Sequence, residues 1–236
     1  MALFALSIWI IAITSFTLLG SLYAKKSNKP DLLIALYVTF VLVSQILAAK
    51  ICVFDLGFRE FVAPSAILVF SVTYLITDIV NEKFGKNQTH RMIFIGFTTQ
   101  VAATLFFWLS TKLSPAPSWN LQSAWQNIFS LVPRITFASW IAFLVSENLD
   151  AIIFSWFKKK TNGKYLWIRN AFSSIPSLAI DSFIFIFLAF YGIYPIWALI
   201  FGQITIKWFI GLINIPFMYF NKWLLNSSKN EQRANS

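Results

Sequence analysis

Seven windows of this chain, residues 3–23, 31–49, 64–82, 91–112, 134–157, 169–191 and 195–221, are apolar over nearly the length of a bilayer. A transmembrane helix needs ~20 such residues. Lipid offers no water to peptide N–H and C=O groups, so spans of this kind fold as helices that pair their backbone internally. The pattern predicts an all-α, polytopic transmembrane bundle. Charged residues make up only 12% of the chain, against about 25% in a soluble domain, which leaves no segment for a separate soluble domain. The first window lacks a positive region before it and is followed by Lys25 and Lys26, so it reads as an uncleaved anchor rather than a signal peptide.

The net charge of +10 would suit a nucleic-acid partner if it were clustered, but it is distributed by loop. Lys25, Lys26 and Lys29 follow the first window, and Lys83, Lys86 and Arg91 follow the third. Lys158, Lys159, Lys160, Lys164 and Arg169 follow the fifth, and Lys222, Lys229 and Arg233 follow the seventh. Fourteen of the 19 basic residues therefore fall on one side, while the opposite loops hold Lys50, Arg59, Lys112 and Arg134. The positive-inside rule then places the N-terminus outside and the C-terminus in the cytoplasm. No direct nucleic-acid partner is expected; the partners are lipid and a small molecule, and a homo-oligomer stays open.

Two outer connections have patterns of their own. Residues 51–63 place a turn-like Asp55-Leu56-Gly57 between apolar runs, which predicts a short hairpin at the interface. Residues 120–132 set Leu121, Trp125, Ile128, Phe129 and Val132 at helical spacing behind Asn120, which predicts a surface amphipathic helix capped by that asparagine. The tail from Asn226 is polar and reads as disordered. The single Cys52 excludes an internal disulfide, and the lone His90 sits in a basic loop, so neither metal site nor cofactor is expected.

Carboxylates within the apolar windows carry the functional signal. Asp78, Glu147, Asp150 and Asp181 all lie in such windows, opposed by one intramembrane cation, Lys207. An ionisable group at mid-bilayer costs about 2.5–3.5 kcal/mol and normally faces a cavity, a partner or a substrate. Polar residues extend these positions into helix faces: Asn170, Ser174, Ser177 and Asp181; Gln203, Lys207 and Asn214; Thr136, Ser139, Ser146 and Asp150; Ser71, Tyr74, Asp78 and Asn81. Hydroxyls alone would read as packing glue worth about 0.6 kcal/mol apiece. Unpaired acids have no packing value, so they point to a wet, ligand-handling interior. Lys207 can neutralise one of them, Asp181 or Asp150. Glu147 and Asp150 are helix neighbours whose mutual repulsion raises one pKa, which suits proton uptake and release.

Three blocks in fixed order carry a family resemblance: PSAILVFSVTYLITDIVNEKFGK (64–86), ENLDAIIFSWFKKKTNGKYLWIRN (147–170) and SSIPSLAIDSFIFIFLAFYG (173–192). With them, residues 31–222 resemble the queuosine precursor transporter family, also called VUT, of bacterial inner-membrane proteins. The resemblance implies six core helices within 31–225, an additional N-terminal span and basic loop at 1–30, and a cytoplasmic tail at 226–236. It matches the family's motif acids to Asp78, Asp150 and Asp181, its basic position in the last helix to Lys207, and its Arg-Asn pair to Arg169 and Asn170. Where the family often has Gln, three residues before the span-five aspartate, this chain has Glu147.

The implied substrates are 7-deazaguanines: the nitrile and aminomethyl precursors of queuosine, and queuine. A guanine-like edge presents adjacent N–H donors to a carboxylate, and Tyr74, Trp140, Phe143 and Trp208 include walls on which a flat base can stack. The expectation is a multi-pass inner-membrane importer with a site formed by Asp78, Glu147, Asp150, Asn170, Ser177, Asp181, Gln203 and Lys207, and with proton coupling open. Two other readings stand beside it. One is the substrate-capture subunit of an energy-coupling-factor vitamin transporter. The other is an intramembrane aspartyl protease built on Asp78 and Asp181, which lacks the Gly-x-Gly-Asp signature, since Ser-Leu-Ala-Ile precedes Asp181. No enzyme activity is expected.

Overall fold

The computed structural model describes the backbone of residues 2–57, 59–160 and 166–213, and their side chains other than 2–6, 82, 147, 150, 151, 154, 155, 157–159 and 166–174. The described residues are mainly helical, with one hairpin: α1 Ala2–Ser27, α2 Asp31–Leu47, β1 Ile51–Asp55, β2 Glu60–Pro64, α3 Ile67–Phe84, α4 Lys86–Lys112, α5 Gln122–Phe129, α6 Val132–Lys160 and α7 Leu166–Phe190. A further helix, α8, runs Ile196–Ile213. Each of the seven apolar windows falls on a helix, the last as far as Ile213. Among the described residues, Ser7–Ser27, Lys86–Lys112, Gln122–Ser146 and Ile196–Ile213 are long and apolar enough to cross a membrane, while Asp31–Leu47, Ile67–Asn81 and Ile175–Phe190 are shorter apolar helices. The tail and Asn214 lie outside the described residues.

The chain divides into two compact units. The first comprises Met1–Leu47, Ser65–Phe106 and Phe209–Ser236. In it α1 and α3 run parallel. Trp9 Nε1 donates to the Leu68 carbonyl at 2.7 Å near their N-terminal ends, and Lys83 Nζ donates to the Ala24 carbonyl near their C-terminal ends. The basic ends carrying Lys25, Lys26 and Lys83 therefore share one end of this unit, as the loop charges require. Leu33 and Tyr37 of α2 and Val72, Ile76 and Val80 of α3 are buried, with the Leu33 side chain against Gly20 of α1 and the Tyr37 ring against Gly96 of α4. Burial is incomplete on α4, where only 17% of the apolar window is covered and Phe94, Leu105 and Phe106 stand exposed. An apolar surface of that extent suits hydrocarbon rather than water.

The second unit comprises Ala48–Pro64 and Phe107–Trp208. It contains the expected hairpin, with β1 and β2 antiparallel from Ile51–Pro64 to Asp55–Glu60. The turn works as its residues predict: Asp55 Oδ1 accepts the Gly57 N–H at 2.8 Å, and Gly57 adopts φ of 86°, a backbone region costly to residues with a Cβ. The surface helix α5 also forms, but Asn120 does not cap it. The N-cap position is Leu121, with no side-chain cap bond. Trp125 anchors α5, its ring 4.3 Å from the Phe129 ring and its Nε1 donating to Ser110 Oγ at 3.2 Å.

Helices α6 and α7 form an extensively packed antiparallel pair. Ala138 and Ala142 are almost fully buried one turn apart, small side chains that let helix backbones approach. At one end of the pair Arg134 Nε donates to the Leu188 carbonyl at 2.8 Å and Nη2 to the Tyr191 carbonyl at 2.7 Å. A guanidinium thus satisfies carbonyls that the end of α7 leaves without helical N–H partners.

Candidate functional site

The polar centre of the second unit is built by three of its helices. On α7, Pro176 supplies no N–H to the helical ladder, and Ser177 and Asp181 follow it one turn apart. On α8, Gln203 and Lys207 are likewise separated by one turn. All four are buried, Asp181 to 4% exposure and Lys207 to 5%. Lys207 Nζ donates to Asp181 Oδ2, forming an ion pair inside the unit. From α6, Ser146 Oγ comes within 3.5 Å of the other carboxylate oxygen, Oδ1, and within 3.1 Å of the Phe143 carbonyl. A hydroxyl has one proton to give, and the shorter contact is to the carbonyl. The Oδ1 side of Asp181 is therefore held less firmly than the Oδ2 side.

Burying two charges is expensive, and their attraction offsets the expense only while they stay together. Removing one partner of a buried pair costs about 3–5 kcal/mol. Such a pair is a weak source of stability but a sensitive polar element, since any ligand that enters must replace the interaction it breaks.

Hydroxyls on the neighbouring polar faces behave differently from the charges. Ser71 Oγ donates to the Ile67 carbonyl at 2.6 Å, Thr136 Oγ1 to Val132 at 2.8 Å and Ser182 Oγ to Leu178 at 2.8 Å. These are bonds to the preceding turn of the same helix, so the protons of these hydroxyls are used locally.

Of the residues singled out by sequence, Asp181 and Lys207 are brought together as one of the two pairings anticipated for the lysine, and Ser177 and Gln203 lie one turn from them. Asp78 belongs to α3 in the first unit and is exposed there. Glu147 and Asp150 fall on α6 and Asn170 on α7, with side chains outside the described residues. Ser146 was visible only as a member of the Thr136–Asp150 face. Arg134 gave no sequence signal for its capping role, since its partners are carbonyls 54 and 57 residues away.

Residues 64–221 match the family model described as "Putative vitamin uptake transporter", a range that includes both Asp181 and Lys207. Over 171 residues the chain is 32% identical to a protein of Bacillus subtilis (strain 168) described as "Probable queuosine precursor transporter"; the match covers 71% of this chain and 73% of the relative. No solved structure matches. The family match and the relative agree with the blocks around Asp78, Asp150 and Asp181, and with apolar helices of membrane-crossing length: this chain belongs to the vitamin uptake transporter family, in which the queuosine precursor transporters fall, and is a multi-pass membrane transporter.

Proposed function

We propose that this chain imports 7-deazaguanine precursors of queuosine across the bacterial inner membrane, with its N-terminus outside and its C-terminus in the cytoplasm. The observation that carries the reading is the buried Asp181–Lys207 pair, in a chain whose relative is described as a transporter of a queuosine precursor. An acid beside a cation, both buried, supplies both an acceptor and a donor for a polar, flat solute. Asp181, Lys207, Ser177 and Gln203 form the centre of the site, with Glu147, Asp150 and Asn170 as further contacts from α6 and α7. Asp78 is a separate acid to be tested by its own substitution. The adjacent acids Glu147 and Asp150 suit proton exchange, so uptake is coupled to the proton gradient.

The experiment uses bacteria that neither make nor take up the precursors but carry the enzymes to use them. This chain is expressed, each 7-deazaguanine is supplied in turn, and queuosine is measured in tRNA. Restored queuosine supports import and identifies the substrate. Failure with the nitrile, the aminomethyl compound and queuine, with the protein verified in the membrane, removes the reading. Restoration that requires an added ATPase complex instead favours a capture subunit. Equal uptake with and without a proton gradient removes the coupling.

A further inference from the structure

Lys83 stands near the end of α3, beyond the apolar run Ile67–Asn81. Its ammonium is drawn onto α1, where Nζ donates to the Ala24 carbonyl, and it lies 5.3 Å from the Phe84 ring centroid. An ammonium has three N–H donors, and the carbonyl takes one of them. Partial burial, and after it the neighbouring charge of Lys25, hold the Lys83 pKa below the ordinary lysine value. Both causes disfavour the charge, so the position is short of an anion. The surrounding sequence adds more of the same sign. Within residues 24–31 and 81–91, Lys25, Lys26, Lys29, Lys83, Lys86 and Arg91 stand against two acids, Asp31 and Glu82. Among the described residues the ion pair formed is Asp181–Lys207, and none of these six cations is in one.

An apolar lane begins beside this basic end. On α4, Arg91, Phe94, Thr98, Val101 and Leu105 recur every three or four residues, so they share one face, and all five are exposed. The apolar window of α4 is covered over only 17% of its length. A charged head above an apolar lane matches both parts of a phospholipid, whereas free phosphate would use the head alone. We propose that Lys25 and Lys83 bind the phosphate of an anionic phospholipid, whose acyl chains lie along the exposed face of α4. Lys86 and Arg91, at the start of α4, add to the attraction between the two. A choline headgroup carries its own cation and brings no net charge to the site, so the lipid must be anionic. The lipid supplies the missing counter-charge and ties the end of α1 to the turn between α3 and α4. This role is separate from the Asp181 site and holds whatever solute the chain carries.

The test supplies the full chain, purified in detergent, with phosphatidylglycerol, with phosphatidylcholine of the same acyl chains, or with inorganic phosphate. Lipid retained per protein is read by native mass spectrometry, and Tm is read on the same samples. One basic residue near an anionic surface contributes about fivefold to binding. Phosphatidylglycerol should therefore be retained at least about fivefold better than phosphatidylcholine and should raise Tm, while inorganic phosphate leaves Tm unchanged. Lys25→Gln leaves the Lys83–Ala24 bond in place and should weaken phosphatidylglycerol retention by about fivefold. Lys50→Gln removes the same charge from the second unit and should leave retention unchanged. Equal retention of the two lipids, or equal losses in Lys25→Gln and Lys50→Gln, overturns the inference. A rise in Tm with inorganic phosphate that matches phosphatidylglycerol overturns the lipid as its ligand. The wild-type comparison needs no variant, so misfolding of Lys25→Gln does not shelter the inference.

Discussion

Gly202 is the position at which one methyl group should have the largest effect. A Cβ built there would lie 2.0 Å from the Val62 carbonyl oxygen, 2.9 Å from the Val62 carbonyl carbon and 3.0 Å from its nitrogen. These are backbone atoms of β2, with no rotamer by which to escape. Reaching even a 3.0 Å contact requires the strand to retreat by about 1 Å. Because β2 is bonded to β1 along the whole Ile51–Pro64 to Asp55–Glu60 register, the hairpin must move as a body or lose pairs. Forcing extra atoms into a packed site costs about 1–3 kcal/mol, and each kcal/mol lowers Tm by about 2–4 °C in a chain of this size. The hairpin carries its own reporter, since Cys52 is the sole cysteine, is half-buried and pairs with Ala63, the residue after Val62. Gly202→Ala in detergent-purified protein should therefore lower Tm and speed maleimide labelling of Cys52. An unchanged Tm together with an unchanged labelling rate would refute the claim that β2 is seated directly on α8.

Gly96→Ala offers a contrast: its Cβ would meet the Tyr37 ring carbon Cε1 at 2.6 Å, a side chain that can shift, so its loss of Tm should be smaller than for Gly202→Ala. Asp181→Asn and Lys207→Met should each abolish precursor uptake and lower Tm by breaking the buried ion pair; Tm and uptake measured on the same preparations check both. Arg134→Gln removes the charge-assisted bonds to the Leu188 and Tyr191 carbonyls and should cost about 1.5–3 kcal/mol, read as a lower Tm with precursor uptake per inserted protein unchanged. Trp125→Ala should release α5, detected as faster proteolysis between Lys112 and Val132, because it removes both the ring contact at 4.3 Å and the bond to Ser110.

Much of this was readable in the residues, and the reasons are local. Lipid permits few backbone conformations, so apolar length alone located the helices. Asp55-Leu56-Gly57 supplied the chemistry of its own turn, and the hairpin follows from it. The lysine's partner was narrowed to Asp181 or Asp150 by counting charges, because so few are present. What escaped the sequence depends on contacts between distant segments. Asn120 is a good cap by type, yet the N-cap position of α5 is Leu121, with no side-chain cap bond. Ser71, Thr136 and Ser182 fall on polar faces by spacing, but spacing does not reveal that each donates to its own preceding turn. Asp78 looks interior by the hydropathy of its neighbours and is exposed on α3. Nothing around Gly202 announces Val62, because the pair is remote in the chain.

Helix α1 acquires a definite status from its two attachments to α3. Trp9 reaches Leu68, and Ala24 receives Lys83, and both contacts span the same 59 residues. The two helices are thus ruled against each other like paired scales, with equal intervals between the marks. Helices advance about 1.5 Å and turn about 100° per residue. One residue inserted into α1 between Trp9 and Ala24 would put its two ends out of step with α3, and only one attachment could be kept. An inserted residue in each helix would restore the match. A detachable leader would tolerate the single insertion; a stave cut to length would not.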